Sequence, residues 1–452
     1  MSRPRAVLLG VTVVLVFTLA TAGTVAAQLP EAPADAFEPS SNCACHSALV
    51  SQWQSSMHAQ ALTDPLYLHK LEKADRETDG AVVPFCEECH GAIAAMAGEI
   101  EDRVFSEQGG EGVSCDLCHQ LTGTTEPIGN TSLIVEPDGV KRAQFDDSVS
   151  TWHESAYSAF HETAEFCGMC HNVNHPVNNL PLEATYTEWA EGPYAEEGIV
   201  CQDCHMTPGP GVTKPNPGRA AAGGPERPHI YTMTFAGGNV ALGDAALAEE
   251  RLQAAAEIDL EAPQVVEGGG EVPVTVRITN VGAGHYLPTG LTDFRRMWVE
   301  LVAMDQDGSE TLVGKREFHT IFKDEEGQSP AEIWFAVAVE SDDRIPPQES
   351  VENTWEAAMP LDGPLTLTAT LYYRSCTEEF AEEAGVDVPT TTMTSAATSV
   401  FSSAAEAEAA RRPEPGRGEA GGGLLLLMTV VAFVVIAAIL SYFILRSRAS
   451  GH

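Results

Sequence analysis

Apolar residues fall into distinct regimes along the chain. Beyond about residue 261 they alternate: Val272, Val274, Val276 and Ile278 are separated by Pro273, Thr275 and Arg277, and Leu365, Leu367, Ala369, Leu371 and Tyr373 by Thr366, Thr368, Thr370 and Tyr372. A period of two predicts half-buried strands. With residues 296–304, ahead of the turn signal Asp307-Gly308, and residues 333–339, there are enough short strands for an all-β immunoglobulin-like sandwich over 261–389. Before it, Asp244 is placed to cap an Ala-rich helix running to Ile258 with Glu249, Glu250 and Arg251 exposed, so residues 241–260 read as a connector helix. Residues 28–240 hold no long periodic run and are rich in Cys, His, Pro and Gly. A segment of that kind is expected to be mostly helical and irregular, organised by a bound group rather than by a large apolar core.

The two ends of the chain carry uninterrupted apolar runs. Arg3 and Arg5 precede one over 6–20, and small residues follow up to Ala27, the pattern of a signal peptide over 1–27. Residues 424–445 are apolar and uncharged, long enough for a transmembrane helix, and Arg446 and Arg448 follow in a short tail over 446–452. Positive charge stays inside, so a single-pass cell-membrane anchor with the bulk of the chain on the extracytoplasmic side is expected. Residues 390–423, rich in Ala, Ser, Thr, Glu, Pro and Gly, read as a flexible stalk.

Charge narrows the function. The chain has 65 Asp and Glu against 25 Lys and Arg, a formal net charge of -40. A polyanion would be repelled by such a surface, which excludes a nucleic-acid partner. Strong acidity with few lysines suits a saline environment or a docking face for cationic partners, and loss of structure at low salt would distinguish the first from the second.

Ten of the eleven cysteines lie in five short pairs, each running into a histidine. Cys86-Glu87-Glu88-Cys89-His90, Cys115-Asp116-Leu117-Cys118-His119, Cys167-Gly168-Met169-Cys170-His171 and Cys201-Gln202-Asp203-Cys204-His205 match Cys-x-x-Cys-His, the attachment signature of haem c. Two thiols about one helical turn apart reach the two vinyl groups of the porphyrin, and the adjacent imidazole is directed at the iron from the same side. Zinc or disulfides would leave the histidine beside every second cysteine unexplained. The pair Cys43-Ala44-Cys45-His46 is one residue shorter. It reads as a fifth haem site held by two thioethers or by Cys45 alone, or else as no haem site. Cys376 has no partner left and reads as a buried free thiol.

Proximal ligation uses His46, His90, His119, His171 and His205. Candidate distal ligands are His58, His153, His161 and His175, close in sequence to a haem motif or, for His153, beside Trp152, then His229 with Met233 as its alternative across Tyr231, and His285. His69 and His319 read as structural. Two imidazoles give low-spin iron suited to electron transfer, whereas a vacant sixth position admits a substrate.

The segments Gly112-Val113-Ser114-Cys115-Asp116-Leu117-Cys118-His119, Glu165-Phe166-Cys167-Gly168-Met169-Cys170-His171 and Tyr186-Thr187-Glu188-Trp189 ahead of Cys201 resemble exported multihaem c-type cytochromes related to the tetrahaem cytochrome c family of hydroxylamine oxidation. The resemblance covers about residues 40–240 and implies closely stacked haems. The run from Asn280 through His285 to Gly290 is similar to a segment that accompanies such domains in larger members, which implies that His285 faces the haem domain. The contracted first motif, and Met233 where a second histidine would follow His229, depart from the pattern. The family includes carriers, reductases and filament-forming conductors. The sequence is therefore expected to encode an electron carrier, rather than a catalyst, that passes electrons between redox partner proteins. The alternatives are a reductase of nitrite, hydroxylamine or a sulfur oxyanion with one open haem, and a cytochrome filament subunit.

Overall fold

The computed structural model describes residues 29–411. The signal-peptide, transmembrane and tail segments of the sequence reading, and the stalk from residue 412 onward, lie outside the described residues (residue 28 aside, the haem and sandwich regions lie within them). Among the described residues no helix is long and apolar enough to cross a membrane.

The cysteine-rich part is built from short helices and ribbons of two to four residues. The longest helix there, Pro65–Thr78, starts where Asp64 accepts a hydrogen bond from the Leu66 N–H (2.8 Å) and Pro65 occupies the first turn, and it stops where Asp79 turns left-handed. A small apolar cluster around Phe37, Ile93, Leu117 and Met169 holds this half together.

Strong alternation produces the second half. Val272, Val274, Val276 and Ile278 are fully buried on one face of strand Glu271–Asn280, which pairs antiparallel with Ser350–Ala358 on one side and Ala256–Glu261 on the other. Strand Leu365–Arg374 is flanked by Thr391–Val400 and by Arg296–Met304, which in turn pairs with Glu310–Phe318. The inner faces of this four-stranded sheet and the three-stranded one share a core that also takes Val299, Leu301, Leu367 and Leu371. Each such side chain contributes about 1.5–3 kcal/mol on burial. The result is a two-sheet sandwich of seven strands.

Three segments differ from the sequence reading. The connector helix is Ala245–Ala255, with Asp244 accepting from the Leu247 N–H (3.2 Å); residues 256–261 leave it to become an edge strand, because Ile258 and Leu260 pack against the sandwich core. Residues 391–400, assigned to a stalk on composition, pair along the edge of Leu365–Arg374, and Ala404–Arg411 adds a short helix. Thr and Val tolerate a pleated edge whatever the surrounding composition. Residues 333–339 split into a turn Ile333–Phe335 and a strand starting at Ala338, since Ala336 is drawn into a cluster with Leu182 and Phe322 under the cysteine-rich half.

The sandwich meets the cysteine-rich half at a second apolar cluster, where Leu66 joins Cys376, Ala381 and Val388. Cys376 is fully buried there.

Candidate haem-binding cavity

A cavity of about 1960 Å³ runs through the cysteine-rich half and along its border with the sandwich, and all five proximal histidines line it. Sites for one small ligand are ~300–1,000 Å³. At ~24 cal/mol per Å³ of unfilled apolar volume, such a space would cost tens of kcal/mol, more than the ~5–15 kcal/mol by which domains are stable. The fold is built around large fillers.

Each motif sits on a short helix or turn that presents its histidine inward. Cys115–His119 begins where Ser114 accepts from the Leu117 N–H (3.3 Å), and Cys201–His205 where the Asp203 carboxylate accepts from the Val200 N–H (3.2 Å). The contracted pair forms a turn, Ala44–His46, and still directs its ring to the cavity.

All five proximal rings engage Nδ1. His46 meets the Ala220 carbonyl (2.8 Å), His90 that of Ala61 (2.9 Å), His119 that of Arg142 (2.7 Å) and His205 that of Ala236 (2.9 Å); His171 instead meets the Glu183 carboxylate (3.2 Å). An Nδ1–H donated outward leaves Nε2 as the ligating nitrogen, the arrangement expected of metal-bound histidine.

Four of these rings face a second imidazole. His46 and His153 have centroids 6.4 Å apart, His119 and His161 6.1 Å, His171 and His58 6.2 Å, and His205 and His285 6.2 Å. Two imidazoles sharing one metal, each nitrogen about 2 Å from it and each ring centre about 1.1 Å behind its nitrogen, stand ~6.2 Å apart. The residues therefore fit iron between each pair. Zinc fits poorly: among the described residues no group of three or more His, Cys, Asp or Glu is placed to hold a metal ion.

The distal rings are fixed individually. His153 and His285 engage Nδ1 with the carbonyls of Glu154 (3.0 Å) and Tyr286 (2.9 Å). In His161 the order is reversed: Nε2 meets the Cys118 carbonyl (2.9 Å) and the buried Nδ1 has no protein partner, so Nδ1 is the free nitrogen. The His58 carbonyl accepts from the Val113 N–H (3.0 Å), and a side chain at Gly112 would come within 2.6 Å of that oxygen at a φ of +70°. Glycine is required there to seat His58. Burial holds His58 and His205 neutral, lowered to about 3, and His161, lowered to about 4. Neutral imidazole is the form that binds metal.

His90 differs. Tyr67 stacks flat on its ring at 3.8 Å, and among the described residues no second imidazole faces it. Burial raises the Tyr67 phenol well above its usual range, and its hydroxyl has no partner.

Two candidate ligands fall elsewhere. His175 is buried with Nε2 on the Trp334 carbonyl (3.1 Å) and Nδ1 accepting from the Val177 and Asn178 N–H groups, so it ties the cysteine-rich half to the sandwich. His229 accepts from the Asn216 N–H (3.0 Å) and packs edge-on against Tyr231; no proximal histidine faces it, while Met233 lines the cavity. Nearness in sequence misled because the motifs are joined by loops that fold back: His58 follows the first motif but serves the fourth. His69 contacts Glu383, His319 lies near Glu317, and Trp152 is exposed. Tyr67, Glu183 and Arg251 were missed. Arg251, expected outward, turns its guanidinium onto the carbonyls of Ala236, His205, Thr207 and Gly209.

His285 comes from the sandwich. Its loop is held by the fully buried Asn280, whose amide donates to the His285 (2.9 Å) and Ile345 (3.1 Å) carbonyls, and by Glu188, which accepts from the Tyr286 N–H (3.1 Å) and the Thr289 hydroxyl (2.7 Å) and pairs with Arg344. Gly282 lets this loop pass where a Cβ would lie 2.2 Å from the Ala254 carbonyl.

Residues 42–120 match the family described as cytochrome c554 and c-prime. The fold is similar to that of a penta-heme cytochrome c552 from Thermochromatium tepidum, with a TM-score of 0.60 and 21% identity over 82% of this chain and 100% of that one. The fold is that of a multihaem c-type cytochrome. A CARDB domain from Pyrococcus furiosus also matches, at a TM-score of 0.18 and 15% identity over 32% of this chain and 85% of that domain. No curated protein matches this sequence. Haem c fits the cavity and the outward Nδ1 bonds.

Proposed function

We propose that the cytochrome is an electron carrier with five covalently attached haems. Cys43, Cys45, Cys86, Cys89, Cys115, Cys118, Cys167, Cys170, Cys201 and Cys204 would form the thioethers. His46/His153, His119/His161, His171/His58 and His205/His285 would hold four irons between two imidazoles each, and His90 the fifth from one side. The observation that carries this reading is the centroid spacing of the four imidazole pairs, 6.1 to 6.4 Å.

When bound, haem supplies one-electron chemistry with little reorganisation. The chain's part is to fix the rings, exclude water and bring the sites together. Thiols of neighbouring motifs lie close enough to shift one another's ionisation, Cys43 with Cys115, Cys89 with Cys170 and Cys167 with Cys201. These contacts support a route that links the His46 site to the His119 site, and the His171 site to both the His90 and His205 sites. The sequence of the two ends supports an exported chain anchored by residues 424–445, which would pass electrons between a respiratory donor and an external or periplasmic acceptor.

Pyridine haemochrome analysis of the matured protein should give five haems per chain, and room-temperature magnetic circular dichroism should give four low-spin bis-imidazole centres. A ratio of four, or fewer than four bis-imidazole centres, contradicts the assignment.

The environment of His90 favours a second reading, reduction of nitrite, hydroxylamine or a sulfur oxyanion at that site. A high-spin signal that shifts on adding nitrite, together with turnover, would establish it over the carrier.

A further inference from the structure

Buried carboxylates inside the haem motifs are each neutralised by a cation: Glu87 by Arg103, Asp116 by Lys141 and Asp203 by Lys214. Two half-buried charges beside proximal ligands are not balanced in this way. Glu183 makes its ion-pair contact with the His171 imidazole itself, where the other four proximal rings meet neutral carbonyls. Arg251 is bonded to carbonyls and the Thr207 hydroxyl, with Nε buried and unpartnered and no carboxylate in salt-bridge range among the described residues. One of those carbonyls, Ala236, is the acceptor for the His205 Nδ1–H.

These charges act in opposite directions. A carboxylate on Nδ1 strengthens the imidazole as an electron donor and favours ferric iron. A cation held beside the site favours ferrous iron, and by donating to the Ala236 carbonyl it also weakens that oxygen as an acceptor from His205, which lessens the donor strength of the ring. The Cys167–Cys201 contact makes the two sites neighbours.

We infer that Glu183 and Arg251 build a fixed potential step between adjacent haems, lowering the potential at the His171/His58 site and raising it at the His205/His285 site. One electron then moves downhill from the first site to the second, oxidising one iron and reducing the other with no atom transferred. Electrons are thereby biased toward the end of the cavity that borders the sandwich. This inference rests on the electron-carrier reading, and Glu183 and Arg251 are positioning residues in it.

The test is a spectroelectrochemical titration, monitored by electron paramagnetic resonance, of the full haem-loaded chain and of Glu183→Gln and Arg251→Gln. Glu183→Gln should raise the lowest potential by about tenfold in the reduction equilibrium, ~59 mV for one electron, and Arg251→Gln should lower a different centre by a similar amount. The charge-conserving Glu183→Asp and Arg251→Lys should stay near wild type, which a purely structural role would not produce. If a Gln variant loads incompletely, Glu183→Ala or Arg251→Met replaces it. Unmoved potentials, or both variants moving one centre, in protein with full haem content and intact electron transfer overturn the step and leave the carrier reading standing. Absence of haem would instead overturn the carrier reading itself.

Discussion

Arg344 on the sandwich and Glu188 on the haem-bearing half form an ion pair in which their side chains are 9% and 5% exposed. Glu188 also accepts from Tyr286 and Thr289, so the pair sits directly behind the loop that presents His285. Removing one partner of an enclosed pair leaves an uncompensated charge, which costs about 3–5 kcal/mol. Arg344→Met should lower stability by ~3 kcal/mol in chemical denaturation, and adding Glu188→Gln should recover part of that loss. A change below ~0.5 kcal/mol in the single variant would show that the pair is not a latch.

His285→Ala should convert one centre from low to high spin without changing the haem count. His175→Ala should leave every centre low or high spin as before and loosen the sandwich instead, since its ring bonds Trp334 across the border. Magnetic circular dichroism of the two variants checks both statements, and a spin change in His175→Ala would restore that residue to the ligand set.

The border also has an acid-sensitive contact. Lys70 bonds Asp293 (3.2 Å) and Glu332 (2.9 Å), and Lys73 reaches Glu332 too. Burial alone would raise Glu332, but the lysine charges outweigh it and hold its carboxyl below its ordinary 4.5. A carboxylate lowered in the folded state contributes stability above its unfolded value and loses it as pH falls through the folded one. The stability difference between wild type and Lys70→Met, followed by thermal unfolding, should be constant near neutral pH and shrink as pH drops below about 4.5. A difference that grew on acidification would contradict the assignment.

Leu367 is fully buried in the sandwich core and far in function from the haems. Leu367→Ala should cost about 2–5 kcal/mol. The haem spectrum should stay unchanged until the sandwich unfolds, when the His285 centre alone changes spin; simultaneous loss of all the low-spin signals would mean that the halves unfold as one unit.

Much of this was legible in sequence where local chemistry decides. The pentapeptides named their cofactor, and the alternation from Val272 to Ile278 announced a strand because its inward face is uniformly aliphatic. Pairing of distal ligands was not legible, because it depends on loops crossing the cavity: His58 serves His171 across more than a hundred residues, and His175 is diverted by a carbonyl from the sandwich. Residues 391–400 misled because a Thr- and Ala-rich strand on a sheet edge has the composition of a linker. Arg251 misled because a charged helix position usually faces water, and here its partners are carbonyls of a loop more than forty residues earlier in the chain or just ahead of the helix.

In the proposed ligand set one iron site would be completed by His285, a side chain of the sandwich, which follows the cysteine-rich half along the chain. Translation therefore delivers four ring pairs' worth of histidines minus one before the sandwich exists, and the missing imidazole arrives only when Asn280 and Glu188 have shaped its loop. Quality control of the whole molecule is thus written into its colour: a chain whose sandwich has failed to close would carry its full complement of pigment and yet betray itself by a single off-tone chromophore.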